Sequence, residues 1–378
     1  MKPYDIAIIG AGMVGASIAY HLAPRMRVLL IEAASAAGYH STGRSAALYT
    51  EAYGPPGVRA LTRASGTFFR EPPTGFAPGP LLRSRGALFT AAEGQRAATL
   101  AFQTRLQTEG IDAQLLDGVN ARRWVPVLRE DASVIAIHDR QAADIDVDLL
   151  LQGFLRGARG QGVQFTAGRR VTALQRESAG WRIVLEGDAS LLAARIVNAA
   201  GAWADEVAVL AGMARVGLEP RRRSAFLFHP PAGVEISRWP AVIAMDESWY
   251  FKPDAGLLLG SPANADPVAP HDVVAEEFDV ALGIHGIESA TTMTIGRPVR
   301  TWAGLRSFVA DGEPVCGYAA NDPAFFWAAA LGGYGIQTAP AFGQLCAALL
   351  TGSGTPDALM GAGVTAETLS PARSGLAQ

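Results

Sequence analysis

The stretch that decides the fold is YDIAIIGAGMVGASIAYHLAPRMRVLLIE, which runs from Tyr4 to Glu32. Ile6 to Ile9 form a short apolar run, typical of a strand that is buried on both faces. A glycine-rich turn follows, and a helical run then continues to about Leu22, where Pro24 stops it. A second apolar run, Val28 to Ile31, predicts another buried strand. This order of elements predicts an α/β fold.

The glycine-rich turn is Gly10-Ala11-Gly12-Met13-Val14-Gly15, a G-x-G-x-x-G pattern. Gly10 permits the tight turn, Gly12 lets a pyrophosphate approach the backbone, and Gly15 lets the helix lie against the strand. The pyrophosphate then meets the free N–H groups and the positive end of the helix. Glu32, at the end of the second strand, can accept hydrogen bonds from a ribose and disfavours a 2′-phosphate. The pattern predicts a dinucleotide site and leaves FAD and NAD open.

Composition excludes several classes of function. The 378 residues are 49% hydrophobic and 18% charged, and the net charge of −3 gives no reason to expect a nucleic-acid partner. The two cysteines, Cys316 and Cys346, support neither a metal cluster nor a disulfide framework, so a reducing cytoplasm fits. No uninterrupted apolar run reaches 18 residues, so we expect no transmembrane helix, although peripheral membrane contact is compatible with the chain.

Periodicity and turn signals predict further elements along the chain. Asp146 or Asp148 is expected to cap a helix that runs to Arg159. A strand-rich region is expected from Arg221 to about Thr294, with a helix from Pro340 to Leu350. The small, polar tail after Thr351 is expected to be poorly ordered.

Four blocks of sequence together resemble the superfamily of FAD-dependent D-amino-acid oxidases and dehydrogenases, which also contains glycine and sarcosine oxidases. The blocks cover nearly the whole chain and are the Gly10–Gly15 turn with Glu32, Val197–Trp203, Trp302–Arg306 with Asp311–Pro314, and Gly332–Gln337. Within the superfamily, Tyr39–Ala47, Lys252–Gly256 and Ser261–Pro267 are similar to segments of bacterial D-arginine dehydrogenases.

The resemblance implies non-covalent FAD, because neither cysteine stands where sarcosine oxidases attach their flavin. It also implies a Rossmann-like FAD-binding domain assembled from residues 1–50, 140–215 and 300–370. A smaller α+β substrate domain with an antiparallel sheet would comprise residues 51–139 and 216–299, followed by a tail at 371–378.

The same resemblance assigns cofactor contacts along the chain. The loop after Glu32 reads as an ordinary polar loop from its residues alone, but in the family it lies along the flavin. The implied cofactor-binding residues are Gly10, Gly12, Met13, Val14, Gly15, Glu32, Ala33, Ser41, Arg44, Ser45, Ala46, Ala47, Leu48, Val171, Ala200, Gly201, Trp203, Gly304, Arg306, Gly332, Gly333, Tyr334, Gly335, Ile336 and Gln337.

Four residues match the family's catalytic positions. Arg223 and Arg306 match a carboxylate clamp, for which the planar guanidinium fork is well suited. Tyr53 and Tyr250 match pocket tyrosines. From the residues alone, the arginines read as surface or ion-paired groups and the tyrosines as core aromatics. The implied reaction passes a hydride from Cα of a D-amino acid to flavin N5, giving an imino acid that hydrolyses to a 2-oxo acid and ammonia.

The expected substrate pocket contains Leu48, Ala87, Gly333 and Gln337. Ala87 stands where D-arginine dehydrogenases have an acid that binds the guanidinium of the substrate, so apolar D-amino acids are expected instead of basic ones. The electron acceptor stays open between a quinone, another acceptor and oxygen. The alternatives are a glycine, sarcosine or D-proline oxidase, a 2-hydroxy-acid dehydrogenase, and a non-catalytic flavoprotein.

Overall fold

The computed structural model describes residues 3–376. The helices within this range are α1 (Met13–Leu22), α2 (Pro56–Arg70), α3 (Arg96–Thr108), α4 (Gly118–Trp124), α5 (Val147–Gly160), α6 (Ala204–Leu210), α7 (Glu277–Ala290), α8 (Gly335–Leu350) and α9 (Asp357–Gly361). Short 3₁₀ turns lie at Ser41–Arg44, Glu93–Gln95 and Gly201–Trp203.

The strands of the described residues follow in chain order. They are β1 (Tyr4–Ile9), β2 (Val28–Ile31), β3 (Leu48–Tyr49), β4 (Leu82–Ser84), β5 (Ala87–Ala91), β6 (Ala113–Asp117), β7 (Ile135–Asp139), β8 (Ala143–Ile145), β9 (Gln164–Thr166), β10 (Val171–Glu177), β11 (Gly180–Leu185), β12 (Ser190–Asn198), β13 (Glu219–Phe228), β14 (Ala241–Ala244), β15 (Tyr250–Asp254), β16 (Leu257–Ser261), β17 (Asp266–Pro267), β18 (Arg300–Phe308), β19 (Val315–Ala319) and β20 (Asp322–Ala329).

The first sheet is built around β1, as the opening stretch predicts. Its order is β10-β11-β12-β1-β2-β9, and β20 joins β12 and carries β19. β1 lies between β12 and β2, parallel to both, with Ile8 beside Val197 and Leu30. All four residues of β2 are buried. Two apolar clusters, one containing Ile8 and the other Ile9, cover the two faces of this sheet, so the prediction of doubly buried strands is confirmed.

The second sheet supplies the other half of the site. Its order is β17-β13-β16-β15-β14-β5-β7-β6, with β18 paired along β13. Its pairs are antiparallel except for β14 with β5. A small sheet, β3-β8-β4, completes a mixed α/β fold, which agrees with the predicted fold class. The expected division into domains stays a prediction.

Three predictions about secondary structure are wrong. The region expected to be strand-rich up to Thr294 holds strands β13 to β17 but ends in helix α7, which contains Gly283 and Gly286. These glycines let the helix pack closely against the second sheet, because a Cβ at Gly283 would stand 2.7 Å from Phe226 and one at Gly286 would stand 2.9 Å from Trp249. Tertiary packing here outweighs weak helix propensity.

Helix α8 begins at Gly335 instead of Pro340, with the proline inside it. Neighbouring hydroxyls satisfy the local backbone groups: Ala341 N–H donates to Ser65 Oγ at 3.1 Å, and Ser17 Oγ donates to the Ala339 carbonyl at 2.8 Å. These bonds allow the helix to continue through the proline.

The segment after Thr351 is ordered by burial, contrary to expectation. Leu359, Val364 and Leu369 are buried in the core against the first sheet. Arg373, in the predicted tail, donates two hydrogen bonds to the Asp311 carboxylate at 2.7 and 2.9 Å. The last two residues of that predicted tail, 377 and 378, lie outside the described residues.

Candidate active site

One large cavity lies at the carboxyl end of β1 and extends to the second sheet. It encloses about 1780 Å³ of space, part of it open to solvent. Most of the expected cofactor contacts line it: Gly10, Gly12, Met13, Val14, Glu32, Ala33, Ser41, Arg44, Ser45, Ala46, Val171, Ala200, Gly201, Trp203, Gly304, Arg306, Gly332, Gly333, Gly335 and Ile336. Arg223 and Tyr250 line it as well.

The glycine turn forms an open cradle at one side of this cavity. Gly10 has a φ of +105°, and a Cβ there would stand 2.3 Å from the Ala199 carbonyl oxygen. Gly12 is the N-cap of α1, has no side-chain cap, and faces the cavity. Gly15 lies outside the cavity, where a Cβ would stand 1.9 Å from the Gly10 oxygen. It therefore brings the helix and strand together, which is the mechanical role that the pattern predicts.

Glu32 connects the glycine turn to the end of β2. Its Oε2 accepts a hydrogen bond from Ala11 N–H and its Oε1 accepts one from Ala34 N–H, both at 2.8 Å. These bonds hold the carboxylate at the wall of the cavity, which Val171 also lines. Arg169 and Arg170 line the same cavity and were missed, because adjacent exposed arginines in a loop give no distinctive sequence signal.

The loop after β2 is held in place by bonds to the second half of the molecule. Ser41 Oγ donates to the Leu305 carbonyl at 2.7 Å, and Trp302 Nε1–H donates to the Arg44 carbonyl at 3.0 Å. Arg44 lines the cavity as well. Its guanidinium forms an ion pair with Asp272 and donates to the Val273 carbonyl at 2.9 Å.

Two arginines meet at the far end of the cavity because β13 and β18 pair antiparallel. Arg223 stands opposite Gly304, and Arg306 stands two residues further along the partner strand. Diagonal neighbours of this kind lie about 7–8 Å apart on one face of a sheet. Arg222 belongs to the opposite face, where its Nε–H donates to Asp279 at 3.0 Å. Alternation thus places Arg221 and Arg223 on one face of β13 and Arg222 on the other, and Arg223 is the member of the triplet that lines the cavity.

The arginine pair places two guanidinium groups at the wall of the cavity. Among residues 3–376, neither Arg223 nor Arg306 forms an ion pair with a carboxylate; Arg223 Nε–H donates to the Asn264 carbonyl at 2.6 Å. Burial, followed by the charge of Arg306, lowers the pKa of Arg223 from its ordinary value. A Cβ at Gly333 would stand 2.7 Å from Arg306 Cζ, so this glycine makes room for the guanidinium. The arrangement is suited to binding an anion such as a carboxylate.

Tyr53 lines a second cavity beside the arginine pair. Its hydroxyl donates to Glu247 Oε2 at 2.9 Å, and its ring centre lies 5.3 Å from that of Tyr334. Burial raises the pKa of the Tyr53 hydroxyl. No sequence motif marks Glu247, because a single acidic residue in a turn has no distinctive pattern around it. The second cavity encloses about 660 Å³, part of it open to solvent, between Ala52, Tyr53, Gly54, Pro55, Phe89, Phe102, Arg105, Met245, Glu247 and Tyr334.

Besides Gly15, four expected site residues line neither cavity. Ala87 is fully buried in β5, paired with Asp139 and Ala241, and Leu48 packs against the same apolar cluster. Ala47 lies beside Leu48 with a φ of +41°. Gln337 is buried and accepts a hydrogen bond from Thr50 N–H at 3.4 Å, and its Nε2 has no partner among the described residues.

Residues 5–349 match the model of the DAO family, described as FAD dependent oxidoreductase. The chain belongs to this family. It is 24% identical over 371 residues to sarcosine oxidase subunit beta of Rhizobium meliloti (strain 1021), covering 94% of this chain and 86% of that protein.

Two solved structures have a fold that is similar to the fold of this chain. Iminodiacetate oxidase from Chelativorans sp. BNC1 superposes with a TM-score of 0.81 at 25% identity, covering 97% of this chain and 98% of that one. L-proline dehydrogenase from P. horikoshii superposes with a TM-score of 0.84 at 20% identity, covering 98% and 97%. At that identity, the second comparison shows the fold alone.

The residues of this DAO-family chain fit its cofactor, FAD. Gly12, with no side chain toward the cavity, would leave room for the pyrophosphate at the N-terminus of α1, and Glu32, which lines the same cavity, would accept hydrogen bonds from the ribose. The N-terminus of α8 also opens on the cavity, through Gly335 and Ile336, and favours negative charge on a bound flavin. Neither cysteine lines the cavity. None of the helices in residues 3–376 has both the length and the hydropathy needed to cross a bilayer.

Proposed function

We propose that the protein oxidises the Cα–N bond of D-amino acids, as an FAD-dependent dehydrogenase or oxidase. The observation that carries this proposal is the arginine pair. Arg223 and Arg306 line the FAD cavity without a carboxylate partner among the described residues. An amino acid supplies the carboxylate that this pair lacks, and its Cα then lies toward the cofactor.

We expect the protein's own side chains to act mainly by positioning the substrate. The arginine pair binds the substrate carboxylate, and Tyr250 lies in the same cavity wall. Tyr53, held by Glu247, borders the neighbouring space. Bound FAD supplies the hydride acceptor in this chemistry. The substrate leaves as an imino acid, which water converts to a 2-oxo acid and ammonia.

We further propose neutral, mainly apolar side chains as the preferred substrates. Phe89, Phe102 and Met245 give the second cavity apolar walls. Ala87 provides no carboxylate for a basic side chain, but it is buried outside both cavities. The preference for apolar side chains therefore rests on the walls of the second cavity. The preference for the D-enantiomer, the kinship with D-arginine dehydrogenases and the cytoplasmic location stay predictions from sequence.

A second candidate function is the oxidation of glycine or of small secondary amines. Sarcosine oxidase subunit beta and iminodiacetate oxidase, both similar to this chain, are named for such substrates. The same arginine pair would bind the carboxylate of these compounds. Their smaller size would leave the second cavity unused.

Anaerobic titration of the FAD-loaded protein separates these functions. The absorbance of oxidised flavin is followed while D- and L-methionine, D-leucine, D-arginine, sarcosine, iminodiacetate and 2-hydroxy acids are added separately. We expect D-methionine and D-leucine to bleach the flavin at the lowest concentrations. Preferential bleaching by sarcosine would support the second candidate, and no bleaching by any of these compounds would contradict both. Admitting air afterwards shows whether oxygen is the electron acceptor.

A further inference from the structure

The second cavity, defined above by its ten lining residues, adjoins the arginine pair. Tyr334 directly follows Gly333, whose backbone lies against the Arg306 guanidinium. Tyr53 and Tyr334 pack edge to face and form the wall nearest that pair. A substrate whose carboxylate lies on Arg223 and Arg306 can therefore direct its side chain past these rings into the second cavity.

The walls of the second cavity suit a hydrocarbon chain. Phe89 and Phe102 pack edge to face with ring centres 5.1 Å apart, and Met245 and Ala52 contribute further apolar surface. Such surfaces favour methylene groups, which gain free energy as they leave water. This apolar lining suits the methylene groups of a side chain, but it does not determine which group stands at the end of that side chain.

Arg105 places a cation with unused donors in the wall of this cavity. A guanidinium has five N–H donors; among the described residues, the only hydrogen bond from Arg105 is that from Nη2 to the Ala52 carbonyl at 3.0 Å. Its Nη1 lies 3.6 Å from the Glu109 carboxylate, which already accepts two hydrogen bonds from Arg59 at 2.8 and 2.9 Å. Two guanidinium groups thus share one carboxylate. The side chain of Arg105 is 35% exposed.

Glu247 provides the complementary acceptor in the same cavity. Its carboxylate has about four acceptor positions, and the Tyr53 hydroxyl occupies one of them at 2.9 Å. Arg105 would repel a positively charged group at the end of the substrate side chain, and Glu247 would repel a negatively charged one. A neutral group that both accepts and donates hydrogen bonds matches both residues.

We propose that the second cavity binds the side chain of a D-amino acid that ends in a primary carboxamide, as in D-glutamine. The amide oxygen accepts from the Arg105 guanidinium, the amide nitrogen donates to Glu247, and the methylene groups lie against Phe89 and Phe102. This inference rests on the proposed amino-acid oxidation and refines its neutral substrate class.

The test compares D-glutamine with D-norleucine, which has a similar length and no polar tip. For the FAD-loaded wild type, we expect kcat/KM for D-glutamine to exceed that for D-norleucine by about tenfold, the usual effect of a hydrogen bond to a charged group. D-glutamate and D-lysine should both be poorer substrates than D-glutamine. Arg105→Met should lower kcat/KM for D-glutamine by about tenfold more than kcat/KM for D-norleucine and so remove the preference, while Arg105→Lys should retain part of it.

Arg96→Met is the matched control, because Arg96 lies on the same helix, pairs with Glu93 and is outside the cavity. It should leave the ratio of the two kcat/KM values unchanged. The inference is overturned if D-norleucine equals D-glutamine in the wild type, or if Arg105→Met lowers both values equally, as a purely structural role would. If no amino acid reduces the FAD, the proposed function itself fails, and this outcome is distinguishable from the other two.

Discussion

At the scale of single residues, Arg306 is the side chain that we expect to bind the substrate carboxylate together with Arg223. Replacing it with methionine preserves bulk and removes the charged fork, so kcat/KM for D-methionine should fall by about 100-fold. FAD content and the free energy of unfolding should change little. Arg300→Met is the control, because Arg300 lies on the same strand, is exposed and stacks on Trp302. Equal losses in the two variants would contradict a role for Arg306 in binding substrate.

Gly333 offers a finer test of the same geometry. A Cβ at this position would stand 2.7 Å from Arg306 Cζ, so Gly333→Ala must displace the guanidinium. We expect KM for D-methionine to rise by about tenfold while the melting temperature stays close to that of the wild type. Gly296→Ala, at a position with nothing within 4 Å, is the control and should leave KM unchanged. An unchanged KM in Gly333→Ala would show that the guanidinium position is unimportant.

The sequence predicts some of these residues better than others. Arg223 and Arg306 are recognisable only through the family resemblance, because strand pairing brings together residues that are 83 positions apart in the sequence. Glu247 and Arg105 come from unrelated segments without any motif, and their meeting depends on the packing of α3 against the second sheet. Ala87 and Leu48 were expected in the pocket, but Ala87 is buried in the core and Leu48 is partly buried against the same apolar cluster.

At the scale of elements, the loop after β2 is fastened to the segment before α7. The Asp272 carboxylate accepts from the Tyr39 hydroxyl at 3.1 Å and pairs with Arg44, and those hydrogen bonds lower the pKa of Asp272. Because this loop lines the cofactor cavity, Asp272→Asn should speed FAD release by about two- to fivefold, as expected for an exposed ion pair. FAD fluorescence on dilution measures the rate. Glu277→Gln, a nearby exposed acid, should have no effect; an Asp272→Asn rate equal to wild type would contradict the prediction.

Local elements were predicted where the signal is local. The order β1, α1, β2 follows from one contiguous pattern, and Asp146 caps α5 by accepting from Leu149 N–H at 3.0 Å, as predicted. By contrast, α7 and the start of α8 depend on partners from distant segments, which supply close packing for Gly283 and hydroxyl groups around Pro340. Tertiary contacts decide such elements, and one sequence does not reveal them.

At the scale of the whole molecule, two buried histidines predict how stability depends on pH. Burial lowers the pKa of His21 and of His138 to about 4 from 6.5. The folded state therefore binds fewer protons than the unfolded chain between these values, so the free energy of unfolding should fall as pH decreases from about 6.5 to about 4. Urea denaturation at pH 7.5 and 5.0 measures the loss.

The variant His138→Gln separates this cause from general acid effects. It should reduce the loss of stability between pH 7.5 and 5.0, because the variant has no imidazole at position 138 whose protonation would favour the unfolded chain. His271→Asn is the control, since His271 is exposed, and it should show the full loss. An equal loss in both variants would exclude His138 as a cause.

The central claim is that the arginine pair binds the substrate carboxylate beside FAD. The most direct measurement mixes FAD-loaded protein anaerobically with D-methionine or with D-methioninol, which keeps the amine and side chain but lacks the carboxylate. We expect D-methionine, at equal concentration, to bleach the flavin at least about 100-fold faster than D-methioninol. Equal rates of bleaching by the two compounds would contradict the central claim.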